Sequence, residues 1–150
     1  MATYAQSQGV KAHGMNLGGR YVFPFGSVKF VPALHSSGYE IDGVMTYMGE
    51  ASGIILEAED KKIYHAGDTA LFSDMRLFAK DKSIDVAFLP IGDNYTMGPE
   101  DALEAVSYLN PKITIPIHYN TFPVIQQNPA IFVEQVVGGK VLNPGETILV

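Results

Sequence analysis

The sequence predicts a layered α/β domain in which helices cover a sheet. Three observations carry that prediction. Two nearly continuous apolar runs, "IDVAFLPIG" (84–92) and "KITIPIH" (112–118), suit strands buried on both faces. Helical patterns alternate with these runs through the second half of the chain, and the first half is mostly β in character. The chain has 150 residues, the usual size of one domain, and 47% are hydrophobic, enough to bury a core.

Taken in order, residues 1–20 carry little pattern and end in a turn, "NLGGR". "SVKFVPAL" (27–34) alternates as a strand does and stops at "HSSGYE" (35–40), which reads as a turn. "SGIILEAE" (52–59) and "KIYHA" (62–66) form a hairpin about Asp60-Lys61. "LFSDMRLFAK" (71–80) is an amphipathic helix with Leu71, Met75 and Phe78 on one face. "GPEDALEAVSYL" (98–109) is a second helix. Pro99 suits its first turn, Glu100 and Asp101 favour the positive end of its dipole, and Ala102, Val106 and Leu109 form the inner stripe. "PAIFVEQVVGG" (129–139) reads as a helix closed by glycine, and "KVLNPGETILV" (140–150) as a turn between two terminal strands. No repeat or low-complexity linker divides the chain, so residues 1–150 form a single domain.

Composition narrows the function. The net charge of −6 and the lack of a Lys/Arg run exclude a nucleic-acid footprint. At 17% charged residues the chain is too apolar for disorder, and no window has the length of a membrane span. The opening "MATYAQSQGVKAHG" lacks the basic region and apolar stretch of a signal peptide, so a cytoplasmic protein is expected. With no cysteine, disulfides, thiolate nucleophiles and Cys-ligated zinc are excluded, and any metal must be held by His, Asp or Glu.

Three of the four histidines share one context. His35 follows "VKFVPAL", His65 sits in "KIYHAGD" and His118 follows "KITIPI", each at the C-terminal end of an expected strand. Ligands bind at such ends in α/β folds, because the loops converge there while the sheet holds them rigid. Asp68 lies in the loop after His65. A strand-end histidine alone is more often an ordinary hydrogen-bonded polar group, and Asp68 in "GDT" could cap the next helix. Three such histidines with an aspartate point instead to a site. Two further loops fall at the same edge: "PIGDNYTMGPED" (90–101), with Asp93 and Asn94, and "HYNTFPV" (118–124), with Tyr119 and Asn120. These four are candidate substrate contacts, although Asp93 or Thr96 could equally cap the following helix. His13 and the phenylalanines read as packing.

The motifs "HSSGY", "IYHAGDTALFSDM", "LPIGDNYTMGPEDA" and "PIHYNTFPVI", in this order, resemble the metallo-β-lactamase-fold metal-dependent hydrolases. The nearest likeness is to the group called UPF0173, related to the L-ascorbate-6-phosphate lactonases. The resemblance implies an αββα sandwich with two divalent metal ions at one edge between the sheets; Zn²⁺ is the foremost expectation, with Mn²⁺ or Fe²⁺ the alternatives. It implies that His35 completes the first metal site, that Asp68 bridges both metals and that His118 ligates the second. His65 then contacts either a metal-ligating side chain or the substrate rather than the metal itself. The family's His-x-His-x-Asp-His signature is absent from this chain, which therefore resembles the C-terminal two-thirds of the family domain, N-terminally incomplete. Thr96 stands where related lactonases often carry histidine.

These readings predict a hydrolase that attacks an ester, lactone or phosphoester with metal-activated hydroxide, inactive as this chain alone. The rivals are a noncatalytic binding module on the same scaffold, half of a two-chain hydrolase, and di-iron redox chemistry. The expected partners are a small-molecule substrate and either a second copy or a complementing N-terminal segment, with no nucleic acid and no membrane.

Overall fold

The computed structural model describes all 150 residues. A short helix, α1 (Ala2–Ser7), precedes two strands, β1 (Arg20–Phe23) and β2 (Gly26–Pro32). The hairpin β3 (Gly38–Ile41) and β4 (Val44–Tyr47) follows, then β5 (Ser52–Ala58) and β6 (Lys61–His65). A 3₁₀ helix (Ser73–Ala79) leads to β7 (Val86–Pro90), and α2 (Pro99–Leu109) leads to β8 (Ile113–Ile117). A 3₁₀ turn (Pro123–Ile125) and α3 (Pro129–Glu134) complete the elements.

Six strands form one mixed sheet in the order β1-β2-β5-β6-β7-β8, and β3-β4 stand apart as a two-stranded ribbon. Pairing is antiparallel from β1 to β6 and parallel from β6 to β8. Because β2 and β6 each run antiparallel to β5, strands β2, β6, β7 and β8 all end at the same edge. That edge receives His35, Asp68, Asp93 and His118 in the loops that follow.

The 3₁₀ helix, α2 and α3 lie on one face of the sheet. Its inward residues Val31, Ile55, Tyr64, Ala87 and Leu89 join Met75 and Phe78 of the 3₁₀ helix, Ala102, Ala105 and Leu109 of α2, and Phe132 of α3 in one cluster. Burying side chains of the size of Phe132 or Leu109 stabilises by about 1.5–3 kcal/mol each. The inner stripe of α2 is thus Ala102, Ala105 and Leu109, with Val106 only partly buried. This helix starts on Pro99 and ends where Asn110 turns left-handed, with φ of 43°.

Several sequence expectations need correction. The helix expected over 71–80 is a 3₁₀ helix over Ser73–Ala79, and the helix expected over 129–139 stops at Glu134. Asn128 caps α3, its side-chain oxygen accepting from Ala130 and Ile131 N–H. The segment 35–40, read as a turn, opens a hairpin whose turn is Asp42-Gly43, both left-handed. An Asp-Gly pair is a strong signal for such a turn. The β5–β6 turn is Glu59-Asp60, one residue earlier than expected, since Ala58 pairs with Lys61. In 140–150 the turn exists, with Asn143 and Glu146 hydrogen-bonded to each other, but neither flanking strand forms. Beyond a single bridge between Gly139 and Thr114 no partner strand reaches this segment, and Leu149 is 96% exposed. The expectation of an αββα sandwich that is N-terminally incomplete needs no such correction, since a partial sandwich keeps only part of its two sheets. This chain supplies one main sheet and one helical face.

Candidate metal centre

His118 is the most unusual residue at the strand-end edge. It follows β8 with φ of 54°, a left-handed conformation that costs a residue with a Cβ about 1–2 kcal/mol. Gly92 permits the close approach behind it. A Cβ on Gly92 would lie 2.3 Å from the His118 carbonyl oxygen and 3.1 Å from His118 Nδ1. The missing side chain lets the loop after β7 press on the loop after β8. His118 Nε2 then faces Asp68 Oδ2 at 3.6 Å, and His118 Nδ1 is buried with no hydrogen-bond partner.

Two ligand atoms held about 2 Å from one tetrahedral cation stand somewhat over 3 Å apart. The His118–Asp68 pair therefore fits two neighbouring corners of such a shell. The donor set stops there, because no group of three His, Asp or Glu side chains comes close enough to hold a metal ion. His35 is held at the same edge through the backbone of the preceding Leu34 but is exposed, its Nδ1 turned to the Ser36 carbonyl at 2.8 Å. The residues present supply a fitting pair and not a closed site.

Thr69 joins the loops of this edge, and the sequence reading did not single it out. Fully buried, its hydroxyl accepts from Leu34 N–H at 2.9 Å and donates to the Ala70 carbonyl at 2.8 Å. Its carbonyl accepts from Met97 N–H, and Ala70 N–H donates to the Leu34 carbonyl. One residue beside Asp68 thus holds the loop leading to His35 and the loop after β7. The "GDT" motif was visible in the sequence, but a threonine there looks like an ordinary turn residue until its partners are seen.

The other candidates take different roles. His65 lies on the face away from the helices, its ring stacked on Phe88 with centroids 5.6 Å apart, and its Nδ1 accepts from Gly67 N–H. Partial desolvation holds its pKa below the ordinary histidine value, while the Asp68 carboxylate pulls it up. Asp93 is a turn former: its Oδ1 accepts from Asn94 N–H, and both residues are left-handed. It does not cap α2, whose N-cap is Gly98. Asn120, also left-handed, accepts from Gln127 N–H at 2.8 Å and so closes the loop after β8. Tyr119 packs against the core, and desolvation raises its pKa. Asn94 is exposed, and its side chain makes no hydrogen bond within the chain.

Similarity to known proteins places this edge in context. A profile described as the beta-lactamase superfamily domain matches residues 1–119. Over all 150 residues the chain is 97% identical to a UPF0173 metal-dependent hydrolase of Enterococcus faecalis, spanning 67% of that protein. The chain belongs to this family. A further UPF0173 metal-dependent hydrolase, from Bacillus cereus, is 55% identical over 152 residues, and 67% of it is again covered. Among solved structures the fold is similar to that of Igni18, a metallo hydrolase of the hyperthermophilic archaeon Ignicoccus hospitalis. The TM-score is 0.84 at 35% identity, covering 97% of this chain and 64% of that one. The chain thus spans about two thirds of the length of the UPF0173 relatives, which accords with the single main sheet and the unclosed donor set. No helix is long and apolar enough to cross a membrane.

Proposed function

We propose that this chain contributes His35, Asp68 and His118 to a two-metal centre, Zn²⁺ foremost, that hydrolyses an ester, lactone or phosphoester. The approach of His118 Nε2 to Asp68 Oδ2, at 3.6 Å, carries the reading. Bound metal would supply an acidified water and polarise the substrate's carbonyl or phosphoryl oxygen. The chain's own residues orient the donors. The left-handed backbone at His118 aims its ring at Asp68, and Thr69 fixes the Asp68 loop against the segment ending in His35. His65, on its Phe88 platform, stands three residues before Asp68 as a contact for substrate. Asn94, Tyr119, Asp93 and Asn120 shape the rim. Since the donors do not close a site, the chain by itself is expected to bind metal without turnover.

Zn²⁺ titration by calorimetry on the unaltered chain, Asp68→Asn and His118→Ala tests this. The expected result is saturable binding that weakens at least tenfold in both variants. Equal binding by all three, or no saturable binding by the unaltered chain, overturns it. The lack of a third donor beside the pair favours a second reading, a noncatalytic module on the same scaffold. That reading expects no hydrolysis even when a segment carrying the His-x-His-x-Asp-His signature is supplied, whereas the first expects activity to appear.

A further inference from the structure

Two aromatic rings stand in solvent at the strand-end edge, and the core uses neither. Tyr95, in the loop after β7, is 56% exposed, and Phe122, in the loop after β8, is 43% exposed. Neither belongs to the core cluster or packs against it. Their ring centroids lie 6.0 Å apart at an interplanar angle of 57°, a favourable tilted pair. Val124, two residues beyond Phe122, is exposed as well. Single exposed apolar side chains are ordinary, whereas apolar groups gathered from separate loops mark a binding surface.

Both loops are held, so slack backbone does not explain the exposure. Asp93 N–H donates to the Met97 carbonyl, and Met97 N–H donates to the carbonyl of Thr69, next to Asp68. Asn120 N–H donates to the Ile125 carbonyl, and Ile125 N–H donates to the Phe122 carbonyl. Left-handed residues, Asn94 and Asn120, turn the chain just before each ring. The rings thus stand on the same two loops that meet where Gly92 backs His118, the partner of Asp68.

Charge narrows what can sit there. The connecting segments at this edge, residues 33–51, 66–72, 91–98 and 118–128, contain no Lys or Arg. They contain Glu40, Asp42, Glu50, Asp68 and Asp93. Lys61 and Lys62 open β6 and Lys112 precedes β8, all at the opposite edge. A phosphate group is ordinarily met by Arg or Lys. At this edge the chain offers it carboxylates instead, and it offers an uncharged group an apolar seat.

We propose that Tyr95 and Phe122 seat the hydrocarbon part of an uncharged carboxylic ester, with its carbonyl toward His118 and Asp68. This rests on the hydrolytic reading above and chooses within it, setting aside the phosphoester. The two rings are then specificity-determining residues, each supplied by a different loop.

Nuclear magnetic resonance titration of the isotope-labelled full chain, free of metal, tests the proposal with three probes. Methyl benzoate carries both ring and ester, phenyl phosphate keeps the ring but adds charge, and methyl acetate keeps the ester but lacks the ring. Methyl benzoate should shift the amides of Tyr95, Phe122 and His118 saturably. Tyr95→Ala and Phe122→Ala should each weaken its binding about fivefold, the loss expected for one ring of an aromatic pair, with the rest of the spectrum unchanged. Val137→Ala, at an almost fully exposed position after α3, should leave binding as it was. Phenyl phosphate and methyl acetate should each bind at least fivefold more weakly than methyl benzoate. No saturable shift, shifts confined to other segments, equal binding of phenyl phosphate, or full binding in both ring variants would overturn it. Because no metal is present, this titration and the Zn²⁺ titration fail separately: loss of Zn²⁺ binding overturns the hydrolytic reading, and loss of ester binding overturns only the seat.

Discussion

Replacing Gly92 with alanine links the packing of the sheet edge to the geometry of the candidate centre. The added Cβ would stand 2.3 Å from the His118 carbonyl oxygen, where an ordinary carbon–oxygen contact is on the order of 3.2 Å. About 0.9 Å must be found. The obstructing atom is backbone, so no side-chain rotamer can yield it, and Ile125 Cβ and His118 Nδ1, each at 3.1 Å, block movement to the side. The loops after β7 and β8 must part. Overpacking of this kind costs about 1–3 kcal/mol, and a backbone obstacle puts the effect near 3. In a domain of this size each kcal/mol moves the melting temperature by about 2–4 °C, so a fall of about 6–12 °C is expected. The same movement carries His118 away from Asp68, and Zn²⁺ affinity should fall with stability. Thermal melting and Zn²⁺ titration are the assays, with Gly98→Ala as control, because a Cβ there meets nothing closer than 3.3 Å. A melting temperature within about 2 °C of the unaltered chain, or unchanged Zn²⁺ affinity in a destabilised variant, would refute the reasoning.

Substitutions at two further positions probe what holds the sheet and its edge. Thr69→Val keeps the shape but leaves Leu34 N–H without its partner, at a cost of about 1–3 kcal/mol; Thr69→Ser should recover most of this, and hydrogen exchange at Leu34 should quicken only in the valine variant. Asp85, buried at the opposite end of β7, accepts from Lys112 Nζ at 2.7 Å and from Lys62 N–H at 2.8 Å, and these two donors hold its pKa below the ordinary carboxyl value. Its folded pKa being lower than the unfolded value of about 3.9, its stabilisation is complete above that pH and is lost as the pH falls below it. Asp85→Asn should therefore lower the melting temperature at pH 7 and differ less from the unaltered chain near pH 3; a gap that stays constant over that range would count against the ion pair.

The sequence alone determined a good part of this protein. Periodicity and apolar runs located β2, β5, β6, β7, β8 and α2, because each buries a face with its own repeat. The strand-end positions of His35, Asp68, Asp93 and His118 likewise belong to the sequence, since each residue follows an apolar run. Tertiary structure decided what those positions mean. Which strands share a direction is a property of pairing, and it puts all four loops at one edge. The approach of His118 to Asp68 depends on a bare Cα at Gly92, which no local pattern reveals, because the atom it makes room for lies in the loop after another strand. Thr69 ties three loops by contacts to residues 34, 70 and 97, two of them distant in the chain. Short elements were the least legible. The 3₁₀ form of 73–79 and the early end of α3 reflect packing against the sheet, and the strands expected in 140–150 fail because a strand needs a neighbour, and no pattern within one segment can supply it.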